Sequence, residues 1–325
     1  MIKAPKQPVL VIGSSNTDLI IKVARIPKPG ETILGGKFTR AAGGKGANQA
    51  VAAARAGGEV TLIARIGRDT NGEQALNGFA AEGINVKYVV QDEKTPSGVA
   101  LIFVAKDGEN SIAVASGAND KLTPADVRRA EAAFRKARIV LLQLETPMKT
   151  VAASIELAAG VPVVLNPAPA QSLAPELLKR IHVLTPNQRE AELLTGIAVS
   201  NQATAAEAAD RLLVRGVQNV IITMGSRGAL VVSKTFRQWM PGFEVNAVDA
   251  TGAGDVFNGA LAVALAEGRT LLEAARFASA AAAISVTRLG AQPSIPVRRE
   301  IDAMLATGKI GSRSKRVTTN LAMSL

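Results

Sequence analysis

Short apolar runs alternate with helical stretches along most of the chain, and this alternation limits the possible folds more than any other feature. The first run, residues 9–13, ends in glycine and is typical of a strand buried on both faces. Similar runs lie at residues 60–64, 139–142, 161–165, 182–184 and 220–223. Helical stretches lie at residues 46–56, 71–81, 123–136, 147–159 and 203–215. The pattern predicts an α/β fold in which helices cover both faces of a mostly parallel central sheet, with ligands at the carboxyl ends of its strands.

Two regions interrupt this alternation with extended, half-alternating patterns, residues 16–42 and about 88–115. A turn at residues 106–109 separates two short predicted strands, which favours antiparallel pairing. Because a βα stretch lies between the two regions, we expect them to pair as a small sheet that projects from the main domain as a lid. We therefore predict one domain with this lid over residues 1–308, followed by a flexible tail at residues 309–325.

The residue types present exclude several classes of site. The chain has no cysteine and only one histidine, which excludes a disulfide framework, a thiolate nucleophile and a zinc site built from several histidines. That histidine, His182, lies in an apolar run and is interpreted as a structural residue. No apolar run approaches the roughly 20 residues that a membrane span needs, and the N-terminus lacks a signal-peptide pattern. We expect a cytoplasmic protein without a membrane partner.

The formal net charge of +11 suggests an anionic partner, and nucleic acid is one candidate. The charges are spread along the chain, however, apart from residues 309–316, which carry four basic side chains and no acidic one. This distribution disfavours nucleic-acid binding and fits equally well a field that attracts an anionic nucleotide. For the basic segment itself, a solvated tail is the favoured interpretation.

The segment with the most chemical content is residues 246–259, which leads into an alanine-rich helix. Gly252, Ala253 and Gly254 let the backbone turn tightly, so that successive N–H groups point at one anion. Asp255 follows in the first helical turn, where a carboxylate can accept the proton of a hydroxyl group that attacks a phosphoryl group. An ordinary helix start with acidic capping remains the alternative.

A second glycine-rich segment, residues 43–48, opens the helix at residues 46–56. Its glycines let a small polar ligand approach the backbone, while Lys45 and Asn48 can bind hydroxyl groups. It is not a Walker A loop, because Gly46 follows Lys45 and Thr39 stands at the upstream glycine position. A purely structural turn is the alternative.

Further polar residues follow other predicted strands. Asn16 and Asp18 come after the first strand and can bind sugar hydroxyls or simply form a turn. Glu145 follows the strand at residues 139–142 and either faces the cleft or begins a helix. Asn187 and Glu190 lie one helical turn apart, as metal-water ligands or as a helix cap.

The glycine-rich turn at residues 223–228 suits nucleotide phosphates or a plain hairpin. No Gly-x-Gly-x-x-Gly follows the first strand, so a dinucleotide-binding fold lacks its fingerprint.

Taken together and in this order, these segments resemble the ribokinase family, within the wider group of sugar and nucleoside kinases named for a phosphofructokinase. The resemblance runs from about residue 9 to residue 305 and is most specific at residues 43–53, 165–170, 248–259 and 290–294. It implies a Rossmann-like three-layer α/β domain with a small antiparallel β lid that forms a homodimer interface. It also implies ATP-dependent phosphorylation of ribose at O5, or of deoxyribose, another sugar or a nucleoside. A sugar-binding regulator without catalysis would use the same pocket, but an intact Asp255 and anion hole disfavour it.

The resemblance also implies a role for individual residues, with Asp255 as the catalytic base. The sugar would be held by Asn16, Asp18, Gly43, Gly44, Lys45, Gly46, Asn48 and Glu145. ATP would contact Asn187, Thr223, Gly225, Ser226, Arg227, Gly228, Gly252, Ala253, Gly254 and Ser279. Glu190 would organise Mg²⁺, and a K⁺ site would use Asp249, Thr251, Ser285, Arg288, Gly290 and Ser294. Two features depart from the family pattern: Ser279 stands where a His or Asn is common, and the basic extension after Lys309 is additional.

Overall fold

The computed structural model describes residues 6–107 and 109–308, which form a large sheet between two helical layers and a small projecting sheet. The strands are β1 (Pro8–Ile12), β2 (Asn16–Lys22), β3 (Lys37–Gly43), β4 (Glu59–Gly67), β5 (Asn85–Asp92), β6 (Gly98–Val104), β7 (Asn110–Ala115), β8 (Ile139–Leu142), β9 (Val163–Leu165), β10 (Val183–Leu184), β11 (Asn219–Thr223), β12 (Ala229–Ser233) and β13 (Arg237–Met240). The helices are α1 (Lys45–Ala56), α2 (Thr70–Ala81), α3 (Pro124–Arg128), α4 (Glu131–Lys136), α5 (Met148–Leu157), α6 (Pro175–Leu178), α7 (Gln188–Thr195), α8 (Gln202–Val214), α9 (Ala253–Ala266), α10 (Leu271–Ser285) and α11 (Arg298–Thr307).

The large sheet has the strand order β13-β12-β11-β10-β9-β8-β1-β4-β5. The pairs from β11 through to β5 are parallel, whereas β12 pairs antiparallel with both β11 and β13. The predicted α/β class with a mostly parallel central sheet is confirmed. The chain runs from β1 to β4 on one side and later continues from β8 on the other, so the strand order reverses between β1 and β8. Such a reversal opens a ligand crevice at the carboxyl ends of the strands.

The first strand separates the two halves of the core. Val9 and Val11 pack into an alanine-rich layer that includes α1, α9 and α10, and Leu10 and Ile12 pack into the opposite layer with α4, α5 and α8. Small side chains let α1 and α9 approach closely. A Cβ atom at Gly259 would lie 2.5 Å from the carbonyl oxygen of Gln49, so this glycine is required for the contact. The helix contact brings the starts of α1 and α9 to the same crevice.

The predicted lid is a separate four-stranded sheet in the order β3-β2-β6-β7. Its outer pairs are antiparallel, but β2 and β6, the two strands that come from different regions of the chain, pair in parallel. The lid sheet is therefore mixed rather than purely antiparallel.

Two further details differ from the sequence-based expectation. Residues 88–92 are not part of the lid: they belong to β5, whose pattern is half-alternating because it is a partly exposed edge strand paired with β4. The helix expected at residues 123–136 is divided into α3 and α4 around Arg129 and Ala130. The predicted tail at residues 309–325 lies outside the described residues. In the part of the chain that is described, no helix combines the length and the apolar character that crossing a membrane requires.

Candidate active site

Buried polar residues gather at the carboxyl ends of the strands beside the reversal. Gln143, Asn166 and Thr185 each directly follow the last residue of β8, β9 and β10, and Ser14 follows β1 after one glycine. Four strand ends thus place polar side chains in one crevice, which the starts of α1 and α9 also face. Burial of so many polar groups requires that they bind one another or a ligand.

The start of α1 is occupied by groups of the protein itself. Gly44, the N-cap, has a φ of 87°, and a Cβ atom there would lie 2.7 Å from the backbone nitrogen of Asn16. The N–H of Lys45 donates to Glu145 Oε2 over 2.9 Å, and the N–H of Gly46 donates to Ser14 Oγ over 3.3 Å. The backbone donors of this turn are therefore satisfied before any ligand binds.

The start of α9 has the same Gly-x-Gly pattern but is open. Gly252, the N-cap, has a φ of 75°, and the N–H of Ala253 donates to the carbonyl of Ala250 over 3.2 Å. Among the described residues, no acceptor binds the N–H of Gly252 or Gly254, and no atom lies within 4 Å of a Cβ built on Gly254. Free donors and the positive end of the helix macrodipole suit an anionic group such as a phosphate.

The carboxylate of Asp255 lies in the first turn of α9 and is buried. Asn48 donates to its Oδ2 over 3.1 Å, and Gln49 donates to its Oδ1 over 3.0 Å. Burial raises the pKa of Asp255 above its usual range, against the opposing effects of Lys45 and of these two amides. Asp255 is thus a buried carboxylate held from two sides beside the open helix start.

Other charged groups surround Asp255. Although burial opposes it, the carboxylates of Asp255, Glu145 and Glu190 raise the pKa of Lys45, which keeps its ammonium group charged. Burial, together with Glu145 and Asp255, raises the pKa of Asp18 to about 6. These electrostatic interactions show that five residues, which the sequence assigned to sugar binding, metal binding and catalysis, lie close together in one cleft.

The lid supplies one wall of this cleft. Asp18 lies over Gly43, where a Cβ atom would be 2.3 Å from either carboxylate oxygen, and no donor of the described residues binds that carboxylate. Asn16 Oδ1 accepts from Asn119 Nδ2 over 2.7 Å, and Asn119 Oδ1 accepts from the N–H of Ser15 over 2.9 Å. Asn119 therefore fixes the side chain of Asn16.

The segments assigned to nucleotide also lie at strand ends. Asn187 and Glu190 form the capping box of α7: Glu190 accepts from the backbone N–H and the side-chain amide of Asn187 over 2.9 Å and 2.8 Å. Burial raises the pKa of Glu190, opposed by this backbone bond and by Lys45. Thr223 bridges to Asn187 at the end of β11.

The rest of the nucleotide set is less closely tied to the cleft. The turn after β11 needs glycine at 228, where φ is 105° and a Cβ atom would lie 2.1 Å from the carbonyl of Met240. Arg227 donates to the carbonyl of Ser200, so its guanidinium is engaged at a neighbouring loop. Ser279 is half-buried on α10, and Ser226 lies in the short helical turn between Gly225 and Arg227.

The residues assigned to K⁺ lie on two joined segments. Asp249 binds both: its Oδ1 accepts from the N–H of Thr251 and its Oδ2 from the N–H of Gly290, each over 2.9 Å. These bonds outweigh burial and hold the pKa of Asp249 below its usual range. The Arg288 guanidinium pairs with Glu300 over 2.7 Å and reaches the Ser294 carbonyl at 3.4 Å. Ser285 is buried at the end of α10.

Several site residues were missed by the sequence-based analysis. They share an amide or hydroxyl group and full or nearly full burial: Ser14, Gln49, Asn119, Gln143, Asn166, Thr185 and Asn258. A polar residue directly after an apolar strand is a usable signal for three of them, Gln143, Asn166 and Thr185. No group of three or more His, Cys, Asp or Glu side chains forms a metal site within residues 6–107 and 109–308.

This fold and this arrangement of a buried carboxylate beside an open helix start are those of an α/β phosphotransferase. The sequence matches the pfkB family of carbohydrate kinases over residues 6–298, and the chain belongs to this family.

Individual relatives are similar over nearly their whole length. The chain is 48% identical to a ribokinase of Haemophilus influenzae over 297 residues, which cover 91% of this chain and 97% of the relative. It is 38% identical to a deoxyribokinase of Salmonella typhimurium over 301 residues, covering 92% and 98%. The structure of an Arabidopsis thaliana ribokinase complexed with ribose and ATP superposes with a TM-score of 0.83 at 33% identity, covering 93% of this chain and 99% of that one.

Proposed function

We propose that this carbohydrate kinase transfers the γ-phosphoryl group of ATP to O5 of ribose, with Asp255 as the general base. One observation carries the proposal: the Asp255 carboxylate is buried and hydrogen-bonded directly beside the unpaired N–H groups at the start of α9. The similarity to ribokinases supports ribose as the substrate.

The sugar occupies the side of the cleft formed by the lid and the start of α1. Asn48 donates to Asp255, while its Oδ1 is buried without a hydrogen-bond partner in the described part of the chain. A buried acceptor of this kind is costly unless a ligand hydroxyl satisfies it. Asp18, Lys45 and Glu145 supply charged hydrogen bonds to further hydroxyls, and Asn16, held by Asn119, supplies its amide.

Phosphoryl transfer then needs little covalent chemistry from the protein. Asp255 accepts the O5 proton as O5 bonds to the γ-phosphorus, and the bond from that phosphorus to the β–γ bridging oxygen breaks, leaving its electron pair on ADP. The amides of Gly252 and Gly254 stabilise the charge on the transferring group. The lid excludes water, which limits hydrolysis of ATP. The turn at residues 223–228, with Asn187 and Ser279, contacts the nucleotide.

Two cations complete the proposal. Magnesium binds oxygen ligands, and Glu190 fits it through bound water, because Asn187 holds both of its carboxylate oxygens in place next to Lys45 and Asp255. When bound, Mg²⁺ would supply positive charge that stabilises the phosphate oxygens.

Potassium would take oxygen donors from the joined segments at residues 249–251 and 285–294, where the N–H groups of Thr251 and Gly290 hold Asp249 in its ionised form. We expect lower activity when sodium replaces potassium; equal rates in the two salts would refute this site.

The enzyme is proposed to act in the cytoplasm as a homodimer formed through the lids. Residues that pair across neighbouring lid strands lie on the same face of the sheet. This pairing places Ile112 and Val114 on the face that carries Asp18, and it places Phe38 and Leu101 on the opposite face. All four apolar side chains are more than half exposed, so both lid faces carry uncovered apolar area.

A second copy would cover this area, and the oligomeric state tests the idea. Sedimentation should give a dimer for the wild type and a monomer for Ile112→Lys. Val214→Lys, at a still more exposed apolar position on α8, should leave the dimer intact; a dimer for Ile112→Lys would contradict the lid interface.

The base assignment is tested by Asp255→Asn, which keeps the size of the side chain and removes the proton acceptor. Turnover of ribose with ATP should fall by about two orders of magnitude or more while calorimetric ribose binding survives. Near-normal turnover would exclude Asp255 as the base. A deoxyribose kinase is the second candidate, because deoxyribokinases are also among the relatives at 38% identity.

A further inference from the structure

A buried chain of hydrogen bonds ends on the Asp255 carboxylate, and Gln49 is its central member. Gln49 is completely buried one residue beyond Asn48 on α1. Its Nε2 donates to Asp255 Oδ1 over 3.0 Å and to Asn166 Oδ1 over 3.1 Å, and its Oε1 accepts from Gln143 Nε2 over 2.7 Å. Both N–H groups and the carbonyl of this side chain are thus engaged within the protein.

The direction of the Gln49 amide is set by its neighbours. Oxygen and nitrogen of an amide are distinguished by their hydrogen-bond partners. Asn166 Nδ2 faces the backbone carbonyl of Thr185 at 3.3 Å, which can only accept, so Asn166 must present its oxygen to Gln49. An ionised Asp255 also can only accept. Gln49 must therefore turn its NH₂ toward both, and Gln143 must donate to the remaining oxygen.

Gln143 is itself locked in place. Its Oε1 lies where a Cβ atom on Gly13 would come within 2.0 Å, and this oxygen has no hydrogen-bond partner in the described part of the chain. The unpaired oxygen costs free energy that an apolar residue would avoid. Retaining a glutamine here is consistent with a role for its NH₂, which is the group that donates to Gln49.

The same chain continues to the open helix start. Thr185 Oγ1 donates to Asn258 Oδ1 over 2.6 Å, and Asn258 Nδ2 donates to the carbonyl of Gly254 over 2.8 Å. The carboxylate and the phosphate-facing turn of α9 are therefore fixed by one set of buried amides and a hydroxyl.

We propose that Gln49 is a positioning residue for the base, holding the Asp255 carboxylate oriented and ionised, with Gln143 and Asn166 fixing the direction of the Gln49 amide. This inference rests on the proposed role of Asp255. Hydrogen bonds to a carboxylate favour its ionised form, and here they oppose the effect of burial. Asn48 differs from Gln49 because its Oδ1 is left for the sugar, whereas Gln49 has no group left for a substrate.

Other charges face Asp255 from the surrounding elements: Lys45 on α1, Glu145 after β8, Glu190 on α7 and Asp18 on the lid. Replacing Gln49 with methionine leaves all four charges in place and removes only the amide. A change in the pH profile of that variant therefore reports on the amide.

The experiment measures single-turnover phosphoryl transfer to ribose, with ATP in excess, across the pH range from about 5.5 to 9. For Gln49→Met we expect the acid limb of the rate to move up by about one pH unit, the rate at pH values on that limb to fall about tenfold and the ribose Kd to stay within about threefold. Gln143→Met should move the limb in the same direction by less. Added to Gln49→Met, it should have almost no further effect, because it acts through Gln49.

Thr150→Val is the matched control. The Thr150 hydroxyl is equally buried and donates to the carbonyl of Leu122 over 2.6 Å, away from the site. It should lower Tm without moving the acid limb.

An acid limb in Gln49→Met that coincides with the wild type would overturn the proposal and leave Gln49 a structural residue. If Gln49→Met does not fold, Gln143→Met decides, and an unmoved limb in that variant overturns the proposal equally. Asp255→Asn distinguishes failure of the base assignment from failure of the Gln49 proposal. Full activity of Asp255→Asn would exclude Asp255 as the base. An inactive Asp255→Asn together with an unmoved acid limb in Gln49→Met would exclude only the positioning role of Gln49.

Discussion

The starts of α1 and α9 share a Gly-x-Gly pattern, with glycine at the N-cap and at the second helical position, yet the two turns are used in opposite ways. At α1, Glu145 and Ser14 accept from the first backbone N–H groups, and Gly46 packs against the backbone of Gly13. At α9, a Cβ atom on Gly254 would meet nothing within 4 Å in the described part of the chain. The first pair of glycines serves packing, and the second leaves room for a ligand. The same Gly-x-Gly pattern therefore forms a closed turn or an open one, depending on which residues from the rest of the fold pack against it.

The largest expected effect comes from a methyl group at the closed turn. In Gly46→Ala, the new Cβ would lie 2.5 Å from Gly13 C and Ser14 N, both backbone atoms that cannot move aside cheaply. We expect the free energy of unfolding to fall by about 3 kcal/mol, as overpacking at a rigid contact does. Urea unfolding followed by circular dichroism measures it. An unchanged unfolding midpoint would show that the α1 start is not closed by packing.

The same substitution at the open turn should act on activity instead. Gly254→Ala places a methyl group in empty space on a helix, so stability should hold or rise by about 0.5–1 kcal/mol. The methyl would crowd the phosphate, and kcat/KM for ATP should fall about tenfold. Gly78→Ala is the control, since a Cβ atom on Gly78 of α2 would likewise meet no described atom within 4 Å outside its own helix turn. This variant should show the same stability without the loss of activity. Unimpaired ATP kinetics in Gly254→Ala would mean that no phosphate approaches this turn.

A smaller effect, the dependence of KM on pH, should distinguish the sugar side of the cleft from its phosphate side. The pKa of Asp18 is raised to about 6, and its ionised form is the stronger acceptor for sugar hydroxyl groups. KM for ribose should therefore rise severalfold as pH falls through about 6, while KM for ATP follows no such step. In Asp18→Asn the step in ribose KM should disappear. A step of equal size in that variant would assign the titration to another group.

The same carboxyl group also links pH to stability. Its pKa in the folded protein, about 6, exceeds the usual 3.8, so the folded protein holds the proton more tightly than the unfolded chain does. The contribution of Asp18 to stability is therefore present at low pH and is lost as pH rises from about 4 to about 6. Asp18→Asn should show a higher Tm than the wild type at neutral pH in the absence of sugar.

The sequence predicts more of the fold than of the site. Buried parallel strands show as apolar runs because both of their faces are covered, and those runs recur as β1, β4, β8, β9, β10 and β11. The pattern of residues 88–92 predicts a lid strand wrongly, because an edge strand such as β5, with one partly exposed face, has the same half-alternating pattern. The local pattern contains nothing that identifies its partner strand.

The site is harder to predict because its contacts join distant parts of the chain. Asp255 was found because its glycines and its helix are local features. Gln49 meets Asp255 across 206 positions, and Asn119 meets Ser15 across 104. Within an alanine-rich helix, Gln49 looks like any polar residue on a surface. Only the close packing of α1 on α9, which Gly259 permits, brings it to Asp255.

We expect the cleft between these two helix starts to phosphorylate ribose from ATP, and a coupled assay of ADP release measures this reaction. Ribose, deoxyribose, another pentose and a nucleoside would be compared at equal concentration, each with ATP and Mg²⁺, in potassium and in sodium. The highest kcat/KM should be found with ribose in potassium, and ADP release by Asp255→Asn should stay near the blank. ADP release with ribose no faster than the blank, or faster with a nucleoside than with ribose, would contradict it.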